Sequence, residues 1–239
     1  MKIAAIVPAY NESQSIAAVV HELNAAARQA GISLTVVVVN DCSKDDTGTI
    51  IDALPCVALH LPVNLGIGGA VQTGFRYALE NGFDAAVQVD GDGQHPAEAV
   101  PLLLQEMQNN RCDVVIGSRF ITGQGFQSSF VRRLGIQWFS RLNKLLTGLR
   151  VADTTSGLRL FNRRALEMVS HWYPDEYPEP EILVQFARAD LLIKETPVQM
   201  RERQGGTSSI DSVRAVYYMW KVTLAILFTR MRKIEAPKQ

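Results

Sequence analysis

The chain has 239 residues, enough to bury a substantial hydrophobic core in one large domain or in one domain with a C-terminal appendage. Its 24 lysine and arginine residues balance 24 aspartate and glutamate residues, which excludes the global positive charge typical of proteins that wrap nucleic acid. Any phosphate binding must therefore be local. The three cysteines, Cys42, Cys56 and Cys112, lack the paired spacing of a zinc site or a disulfide framework, and they suit a reducing cytoplasm.

Short apolar runs alternate with helix-length patterns through the first half of the chain. The runs are β-branched and lack polar alternation, which is typical of strands covered on both faces. The predicted strands are residues 3–7, 34–39, 57–61, 85–89 and 114–116, and the predicted helices are about 13–30, 47–53, 69–81 and 97–109. This alternation predicts an α/β fold with a mainly parallel sheet layered by helices, whose ligands gather at the carboxyl ends of the strands.

Polar residues follow the first two predicted strands. The sequence VPAYNE occupies 7–12, and VNDCSKDDT occupies 39–47. Because neighbouring parallel strands end at the same edge of a sheet, we expect these two loops to form one pocket. Asp41 stands directly at a strand end, where its carboxylate can accept hydrogen bonds from a base or a ribose.

A glycine-rich stretch, NLGIGGAVQTG at 64–74, follows the third predicted strand. It is not a dinucleotide fingerprint, because Val71 stands where the last glycine would be and the stretch does not follow the first strand. Two interpretations remain open. Either the backbone approaches a diphosphate at the positive end of the next helix, or the glycines only make a tight turn before that helix.

The most specific local signal is QVDGDGQHP at 88–96, in which Asp90 and Asp92 flank a glycine just past an apolar strand. We expect strand-like alternation to send both carboxylates to the same side, with the glycine allowing a turn between them. Such oxygen ligands, with Gln94 as a further one, suit Mg²⁺ or Mn²⁺ holding a nucleotide diphosphate. An isolated motif of this kind is more often a solvated turn, but its place at a strand end favours the metal site. His95 is interpreted as a structural turn residue.

Seven ordered blocks together resemble family 2 glycosyltransferases of the GT-A fold, specifically the branch of dolichyl- and polyprenyl-phosphate sugar synthases. The blocks are VPAYNE at 7–12, VNDCSKDDT at 39–47, NLGIGGAVQTG at 64–74, VDGDGQHP at 89–96, GSRF at 117–120, DTTSGLRLFNRRAL at 153–166 and RERQGGTSSI at 201–210. They extend over nearly the whole chain. They are specific for the family and much less so for the sugar, so UDP- and GDP-linked hexoses both remain open as donors.

The resemblance implies a Rossmann-like catalytic domain that binds a nucleotide sugar, with Mg²⁺ or Mn²⁺ as the cofactor. The residues implied for the nucleotide sugar are Pro8, Ala9, Tyr10, Glu12, Asp41, Gly66, Gly69 and Asp90. The residues implied for the metal are Asp90, Asp92 and Gln94. Catalytic roles are implied for Asp92, Arg119 and Asp153, and either Asp153 or Glu181 is expected to orient hydroxyl groups of the sugar or the acceptor.

In this branch the acceptor is a polyprenyl phosphate, and the resemblance assigns its phosphate to Arg119, Arg133, Arg203 and Ser208. Arginine suits this binding through its fixed fork of donors, although Arg133 also fits an ordinary surface position beside another arginine. Many relatives have a lysine shortly after the serine of the last block, where this chain has a second serine. A phosphate acceptor is already ionised near neutral pH. We therefore expect an inverting reaction that needs positioning and charge stabilisation more than a general base.

Two helical patterns in the second half of the chain bear on membrane binding. Residues 132–149 carry an apolar stripe with basic flanks, which suits an anionic membrane surface and equally suits a core-facing helix. Residues 213–228 are apolar on nearly all sides but contain two basic residues and are too short to span a bilayer. We expect them to form an amphipathic helix that lies at the membrane interface or docks on a partner helix. The stripe consists of Leu134, Trp138, Leu142, Leu145 and Leu149.

These patterns predict a GT-A catalytic domain over 1–207 and a C-terminal interfacial or partner-docking helix with a basic tail over 208–239. The expected partners are a nucleotide sugar donor, a polyprenyl phosphate acceptor and the membrane surface, without nucleic acid. Further attachment is expected from a separate small membrane protein or a homo-oligomer. Because the apolar N-terminal stretch is too short for a signal peptide, the expected location is cytoplasmic, peripheral at the inner face of the cell membrane.

The leading prediction is a metal-dependent, inverting hexosyltransferase. It would move a hexose from a UDP- or GDP-linked sugar to undecaprenyl or dolichyl phosphate, for cell-surface glycan or glycoconjugate assembly. One alternative is a family 2 transferase that acts on a soluble saccharide or a protein. Another is an inactive module that binds nucleotide sugars, against which the intact Asp90 and Asp92 argue.

Overall fold

The computed structural model describes residues 1–121, 130–175, 178–201 and 212–231, which form one seven-stranded sheet with helices on both faces. The strands are β1 (Lys2–Ala9), β2 (Ser33–Asn40), β3 (Val57–His60), β4 (Ala85–Gln88), β5 (Val114–Ser118), β6 (Arg159–Asn162) and β7 (Ile193–Pro197). The helices are α1 (Ile16–Ala30), α2 (Thr47–Asp52), α3 (Gly66–Glu80), α4 (Ala99–Asn110), α5 (Phe130–Thr147), α6 (Arg163–His171), α7 (Pro178–Arg188) and α8 (Ser212–Met231).

The strands lie in the order β3-β2-β1-β4-β6-β5-β7, and every neighbouring pair is parallel except the two pairs formed by β6. The predicted mainly parallel sheet and its five predicted strands are confirmed. The sequence did not predict β6 and β7. The short β6 begins with an arginine, and β7 mixes polar with apolar residues, so neither contains the continuous apolar run used to find the others.

Alternate residues of the strands fill two cores, one on each face of the sheet. Along β1, Ile3, Ala5 and Val7 lie in the first core, and Ala4 and Ile6 lie in the second. Helices α1, α2 and α4 complete the first core, whereas α3, α6 and α7 complete the second. Because both faces are covered, the central strands need no polar side and appear in the sequence as unbroken apolar runs.

A third, smaller core joins α5, α7 and α8. Phe139 of α5, Val184 of α7 and Val222 of α8 are buried in it. Thr229 of α8 donates a hydrogen bond to the Glu181 carboxylate of α7 at 2.5 Å, so this carboxylate joins the two helices. Orientation of a sugar or acceptor hydroxyl by Glu181 stays a prediction. The separate C-terminal unit proposed for 208–239 stays a prediction. A search of the four described ranges finds no helix with the length and apolar character needed to cross a membrane.

One edge of the sheet collects the loops that carry the sequence blocks. The parallel pairs place the carboxyl ends of β1 and β2 beside that of β4. Because β6 runs antiparallel to both β4 and β5, those two strands share a direction, and β7 shares it too. The reversal of β6 also brings the segment that precedes it to this edge. The blocks at 7–12, 39–47, 89–96 and 117–120 therefore meet the residues that begin at 153.

Candidate active site

Two loops at the carboxyl ends of β1 and β2 are tied together by hydrogen bonds. The N–H of Asn11 donates to Ser43 Oγ at 3.0 Å, and the N–H of Lys44 donates to Asn11 Oδ1 at 2.8 Å. The N–H of Glu12 donates to Thr47 Oγ1 at 2.9 Å. The loops that the sequence assigns to the nucleoside are therefore adjacent and mutually braced.

The loop after β1 also touches the turn after β4. A Cβ atom at Gly91 would lie 3.0 Å from the carbonyl oxygen of Pro8, an approach that favours glycine. Ser15 Oγ donates to the Gly91 carbonyl oxygen at 2.7 Å. The nucleoside loop and the predicted metal turn are thus in direct contact. Of the residues implied for the nucleoside in this loop, Pro8 and Ala9 are buried, Glu12 is half-buried and Tyr10 is exposed.

The Asp41 carboxylate is buried and already accepts hydrogen bonds from the protein. Its Oδ1 accepts from the N–H of Leu65 at 2.7 Å, and its Oδ2 accepts from the N–H of Gly66 at 2.9 Å. Each oxygen keeps a further lone pair, so hydrogen bonding of Asp41 to a base or a ribose stays a prediction. Its first function is to hold the loop before α3 against the end of β2.

The glycine-rich stretch makes a tight turn at the start of α3. Gly66 has a φ of 76°, and the N–H of Gly68 donates to the Asp175 carbonyl oxygen at 3.0 Å. A Cβ atom at Gly69 would lie 2.5 Å from Cβ of Leu65. Because acceptors of the protein itself take the N–H groups of residues 65, 66 and 68, the structure favours a tight turn over diphosphate binding at this helix end.

The predicted metal ligands lie in a turn rather than in a strand. Asp92 is buried, and its Oδ1 accepts from the N–H of Gln94 at 3.0 Å. The N–H of Asp90 donates to His95 Nδ1 at 3.0 Å, which leaves the other ring nitrogen 3.6 Å from Asp90 Oδ2. His95 therefore supports the turn, in agreement with its interpretation as a structural residue. The chain has left β4 before Asp90, so the expected strand-like alternation of Asp90 and Asp92 is wrong, whereas the expected turn at the glycine between them is present.

Asp90 and Gln94 open into a cleft of about 350 Å³, a volume that includes the space at its mouth. Among the described residues, no group of three or more histidine, cysteine or acidic side chains could hold a metal ion by itself. The turn nevertheless offers carboxylate and amide oxygens, and Mg²⁺ or Mn²⁺ commonly completes its shell with water and substrate phosphates. The residues present therefore fit a metal that is shared with a nucleotide diphosphate. The cleft is lined by Asp90, Gln94, His95, Arg119, Thr155, Ser156, Gly157 and Met200.

Arg119, which follows β5 directly, is fixed in this cleft by a buried ion pair. Its Nε donates to Asp153 Oδ2 and its Nη2 donates to Asp153 Oδ1, both at 2.7 Å. Nη2 also lies 3.0 Å from Thr155 Oγ1. Burial disfavours the guanidinium charge, but the hydrogen bonds and the charge of Asp153 outweigh burial and raise the pKa of Arg119 above its ordinary value. Arg119 therefore stays protonated, in an ion pair with Asp153.

The structure corrects the role expected for Asp153. This residue is fully buried, and both of its carboxylate oxygens accept from Arg119, so it is not placed to orient a hydroxyl of the sugar or the acceptor. The N–H of Arg119 also donates to Asp153 Oδ2 at 3.1 Å. Asp153 therefore acts through Arg119 as a positioning residue.

The other arginines and the serine implied for the acceptor phosphate are not brought to the cleft by the described structure. Arg133 is exposed on α5 and does not line the cleft. Arg203 and Ser208 lie outside the described residues. Phosphate binding by these three residues stays a prediction.

The segment before β6 forms a wall of the cleft that sequence reasoning missed. A Cβ atom at Gly157 would lie 3.0 Å from both carboxylate oxygens of Asp90, and Ser156 Oγ donates to the Gly117 carbonyl oxygen at 2.6 Å. Behind the wall, the buried Arg159 donates to carbonyl groups of the same segment. These wall residues lie in the sequence block at 153–166. Because small residues such as these have no distinctive chemistry, their role becomes evident only from their contacts in the folded structure.

Comparison with known proteins assigns the family. The model for "Glycosyl transferase family 2" matches residues 4–169, more than half of the chain. The chain belongs to this family. An undecaprenyl-phosphate mannosyltransferase of Micrococcus luteus is 32% identical over 220 residues, with 88% of each chain covered. A UDP-N-acetylglucosamine–dolichyl-phosphate N-acetylglucosaminyltransferase of Methanococcus voltae is 31% identical, with 81% of this chain and 83% of the relative covered. The expected similarity to polyprenyl-phosphate sugar synthases is confirmed.

Solved structures confirm the GT-A fold of this family 2 chain. Glucosyl-3-phosphoglycerate synthase of Mycobacterium tuberculosis, in complex with phosphoglyceric acid, superposes with a TM-score of 0.72 at 17% identity. The match covers 98% of this chain and 81% of that one. The same enzyme in complex with Mn²⁺, UDP and phosphoglyceric acid gives a TM-score of 0.69 at 18% identity, covering 99% of this chain and 80% of that one.

We predict that Asp153→Asn destabilises this family 2 transferase by about 3 kcal/mol, because it leaves the buried guanidinium of Arg119 without a counter-charge. The free energy of unfolding would be measured with urea. Glu167→Gln is the matched control, since it removes the exposed partner of Arg163 on α6 and should cost about 0.5 kcal/mol or less. Equal effects of the two substitutions would contradict the importance given to the buried pair.

Proposed function

We propose that this family 2 glycosyltransferase moves a hexosyl group from a UDP- or GDP-linked sugar to a polyprenyl phosphate, with inversion at the anomeric carbon. The mannosyltransferase of Micrococcus luteus and a polyprenol monophosphomannose synthase of Mycolicibacterium smegmatis, 27% identical over 227 residues, support this choice of acceptor. The product would serve the assembly of cell-surface glycans or glycoconjugates.

One observation carries the proposal: Asp90 and Arg119 line the same cleft. The carboxylate belongs to the turn that fits a metal and a donor diphosphate. The guanidinium is charged, and its five N–H donors suit a phosphate, although Asp153 and Thr155 already use donors on Nε and Nη2. A cleft that binds both substrates can hold an acceptor phosphate oxygen against the anomeric carbon, which replaces a random encounter by a fixed approach.

The proposed reaction requires little proton transfer. An oxygen of the ionised acceptor phosphate forms a bond to the anomeric carbon while the bond from that carbon to the donor diphosphate breaks. Arg119 would hold the attacking phosphate, and Asp90, Asp92 and Gln94 would hold Mg²⁺ or Mn²⁺. When bound, the metal would supply positive charge to the departing diphosphate. The buried position of Asp153 supports this scheme, because it removes the most obvious candidate for a general base.

The donor would occupy the side of the site built from the loops after β1 and β2. Pro8, Ala9, Tyr10 and Glu12 would face the nucleoside, and Asp41 would keep the loop that contains Gly66 and Gly69 in place. The hydrogen bonds between residues 11–12 and 43–47 support a preformed pocket here. Glucosyl-3-phosphoglycerate synthase, which shares the fold, binds uridine diphosphate and Mn²⁺ in its complexes, and this favours a uridine donor and a metal for the proposed reaction.

We infer that α5 and α8 rest on the membrane that contains the acceptor. The buried face of α5 carries Ile136 and Phe139, and the predicted apolar stripe is divided: Leu142 and Leu149 pack against the cores, whereas Leu134, Trp138 and Leu145 are exposed. Trp138 is 47% exposed and its Nε1 donates to Thr223 Oγ1 of α8, which places the two helices side by side. Large exposed apolar side chains favour a partner surface over water. They are Leu134, Trp138 and Leu145 of α5, and Trp220, Leu227 and Phe228 of α8.

Exposed basic residues on the same two helices support an anionic surface as the partner. Arg133, Arg141 and Lys144 are exposed on α5, and Arg230 is exposed on α8. Tryptophan with flanking basic residues suits the interface of a bilayer that contains anionic lipid. The proposed location is therefore the cytoplasmic face of the cell membrane. A separate small membrane protein or a homo-oligomer remains a proposal for additional attachment.

The first test concerns the metal turn. We expect Asp90→Asn to lower the rate of hexosyl transfer by roughly 10²- to 10³-fold, because the neutral amide binds a divalent cation poorly. It should also abolish the Mn²⁺-dependent rise in melting temperature that UDP or GDP produces in the unmodified protein. Asp84→Asn, at a distant exposed position before β4, is the matched control. Unchanged turnover in Asp90→Asn would refute the metal-dependent mechanism.

The second test concerns the acceptor. Purified protein would be assayed with UDP- and GDP-linked hexoses and either undecaprenyl phosphate in vesicles or 3-phosphoglycerate in solution. We expect transfer to the lipid, and we expect Arg119→Lys to reduce it by roughly 10²-fold while nucleotide binding persists, because lysine lacks the fork held by Asp153. Arg28→Lys, an exposed change in the last turn of α1, is the control. Transfer only to the soluble acceptor would overturn the lipid assignment.

The third test concerns the membrane. Replacing Leu145 and Trp220, which are 82% and 65% exposed, by serine should weaken binding to vesicles with anionic lipid by roughly tenfold or more, since burying such side chains contributes over 1 kcal/mol each. Leu102→Ser with Leu192→Ser is the matched control, because these leucines are also exposed but lie on α4 and just before β7. Equal weakening by both pairs would show that the binding is not specific to α5 and α8.

A further inference from the structure

Arg159 is an unusual residue for the centre of a sheet. It begins β6, lies between Gln88 of β4 and Ile116 of β5, and is fully buried. Burial lowers the pKa of its guanidinium, so the fold holds a charged group there at a cost. A hydrocarbon side chain at this position would avoid that cost.

The donors of Arg159 point to the segment that forms the wall of the cleft. Nε donates to the carbonyl oxygen of Ser156 at 2.8 Å, and Nη2 donates to the carbonyl oxygen of Thr154 at 3.0 Å. Both carbonyl groups belong to buried residues, and buried backbone acceptors need partners. Without the guanidinium, these two carbonyl groups would lose the donors that hold the segment in its present shape.

The same segment contacts both ends of the proposed reaction. Asp153 and Thr155 hold Arg119, the proposed ligand of the acceptor phosphate. Two residues further on, Gly157 lies against the carboxylate of Asp90, the proposed metal ligand. The conformation of five consecutive residues therefore sets the separation between the group that binds the acceptor and the group that binds the metal.

We propose that Arg159 is a positioning residue for glycosyl transfer: through the carbonyl groups of Thr154 and Ser156 it fixes the spacing between the Asp90 carboxylate and the Arg119 guanidinium. This inference rests on the proposed function only in that both groups must serve one reaction. Arg159 touches neither substrate. We expect Arg159 to act on the alignment of the reacting groups, because a displacement on the order of 1 Å lowers the rate roughly 10²-fold.

Arg159→Met tests the proposal, because methionine fills much of the same space without donating hydrogen bonds. We expect kcat to fall by roughly 10²-fold while the KM of the nucleotide sugar changes by less than about threefold, since the donor loops after β1 and β2 are untouched. Arg159→Lys keeps the charge and can donate to a carbonyl group, so it should recover part of kcat. A merely structural role would reduce the folded fraction and leave kcat per folded molecule unchanged, and that result would overturn the proposal.

Gly157→Ala tests the same spacing from the other end and does not depend on replacing a buried charge. Its Cβ would press on both oxygens of Asp90, so we expect the affinity for Mn²⁺ alone, measured by electron paramagnetic resonance, to fall by roughly tenfold. Gly135→Ala is the control, because the nearest atom to its Cβ, on Met219, is 3.8 Å away. Wild-type Mn²⁺ affinity and wild-type kcat in Gly157→Ala would also overturn the proposal.

The two tests separate this inference from the assignment of the acceptor. Rates are compared with whichever acceptor the unmodified protein uses, and Mn²⁺ binding needs no acceptor at all. If the lipid assignment fails while Arg159→Met still lowers kcat and Arg159→Lys restores part of it, the positioning role stands.

Discussion

The buried ion pair between Arg119 and Asp153 is the interaction on which the rest of the site depends. A guanidinium in a partly closed cleft is stable only with a counter-charge in good geometry, and Asp153 provides one with two hydrogen bonds of 2.7 Å. The pair joins the end of β5 to the segment before β6. It therefore fixes the position of the Arg119 guanidinium in the cleft and anchors the segment that contacts Asp90.

On the side proposed for the donor, polar groups of the loops already form hydrogen bonds with other groups of the protein. Asp41 is occupied by the N–H groups of Leu65 and Gly66, and Asn11 both donates to and accepts from the loop after β2. Such bracing lowers the conformational entropy that a ligand must remove on binding. Tyr10 is left exposed on this side, where the proposed nucleotide would meet it.

Sequence patterns predicted the parts of the fold that depend on local chemistry. The strands of the first half can be predicted because burial on both faces requires unbroken apolar runs. Strands β6 and β7 cannot, because they form through pairing with neighbouring strands and have no such run. The same limit applies to the site. Residue type and position single out Asp90, the family resemblance singles out Arg119, and the structure brings both to one cleft. The role expected for Asp153 is wrong because its partner, Arg119, is distant in the sequence. The roles of Gly157 and Arg159 can be inferred only from their contacts in the folded structure.

The direction of the helical stripe on α5 shows this limit most clearly. Periodicity establishes that one face is apolar, but it does not say whether that face meets a core or a surface. In the structure the core takes Ile136 and Phe139, and Leu134, Trp138 and Leu145 remain exposed. The deciding information is the packing of α5 against α7 and α8, which no local pattern contains.

The reversal of β6 has a consequence for how such an enzyme can change. The chain leaves the sheet at Ser118, the last residue of β5, and returns at Arg159, the first residue of β6, and both points lie at the same edge. The excursion between them contains α5 and is closed at its base by Arg119 and Asp153. The two ends of this excursion are therefore fixed to each other by an ion pair. We expect changes in the length of α5 to leave the loops after β1 and β2 in place, because the ion pair fixes both ends of the excursion to the sheet.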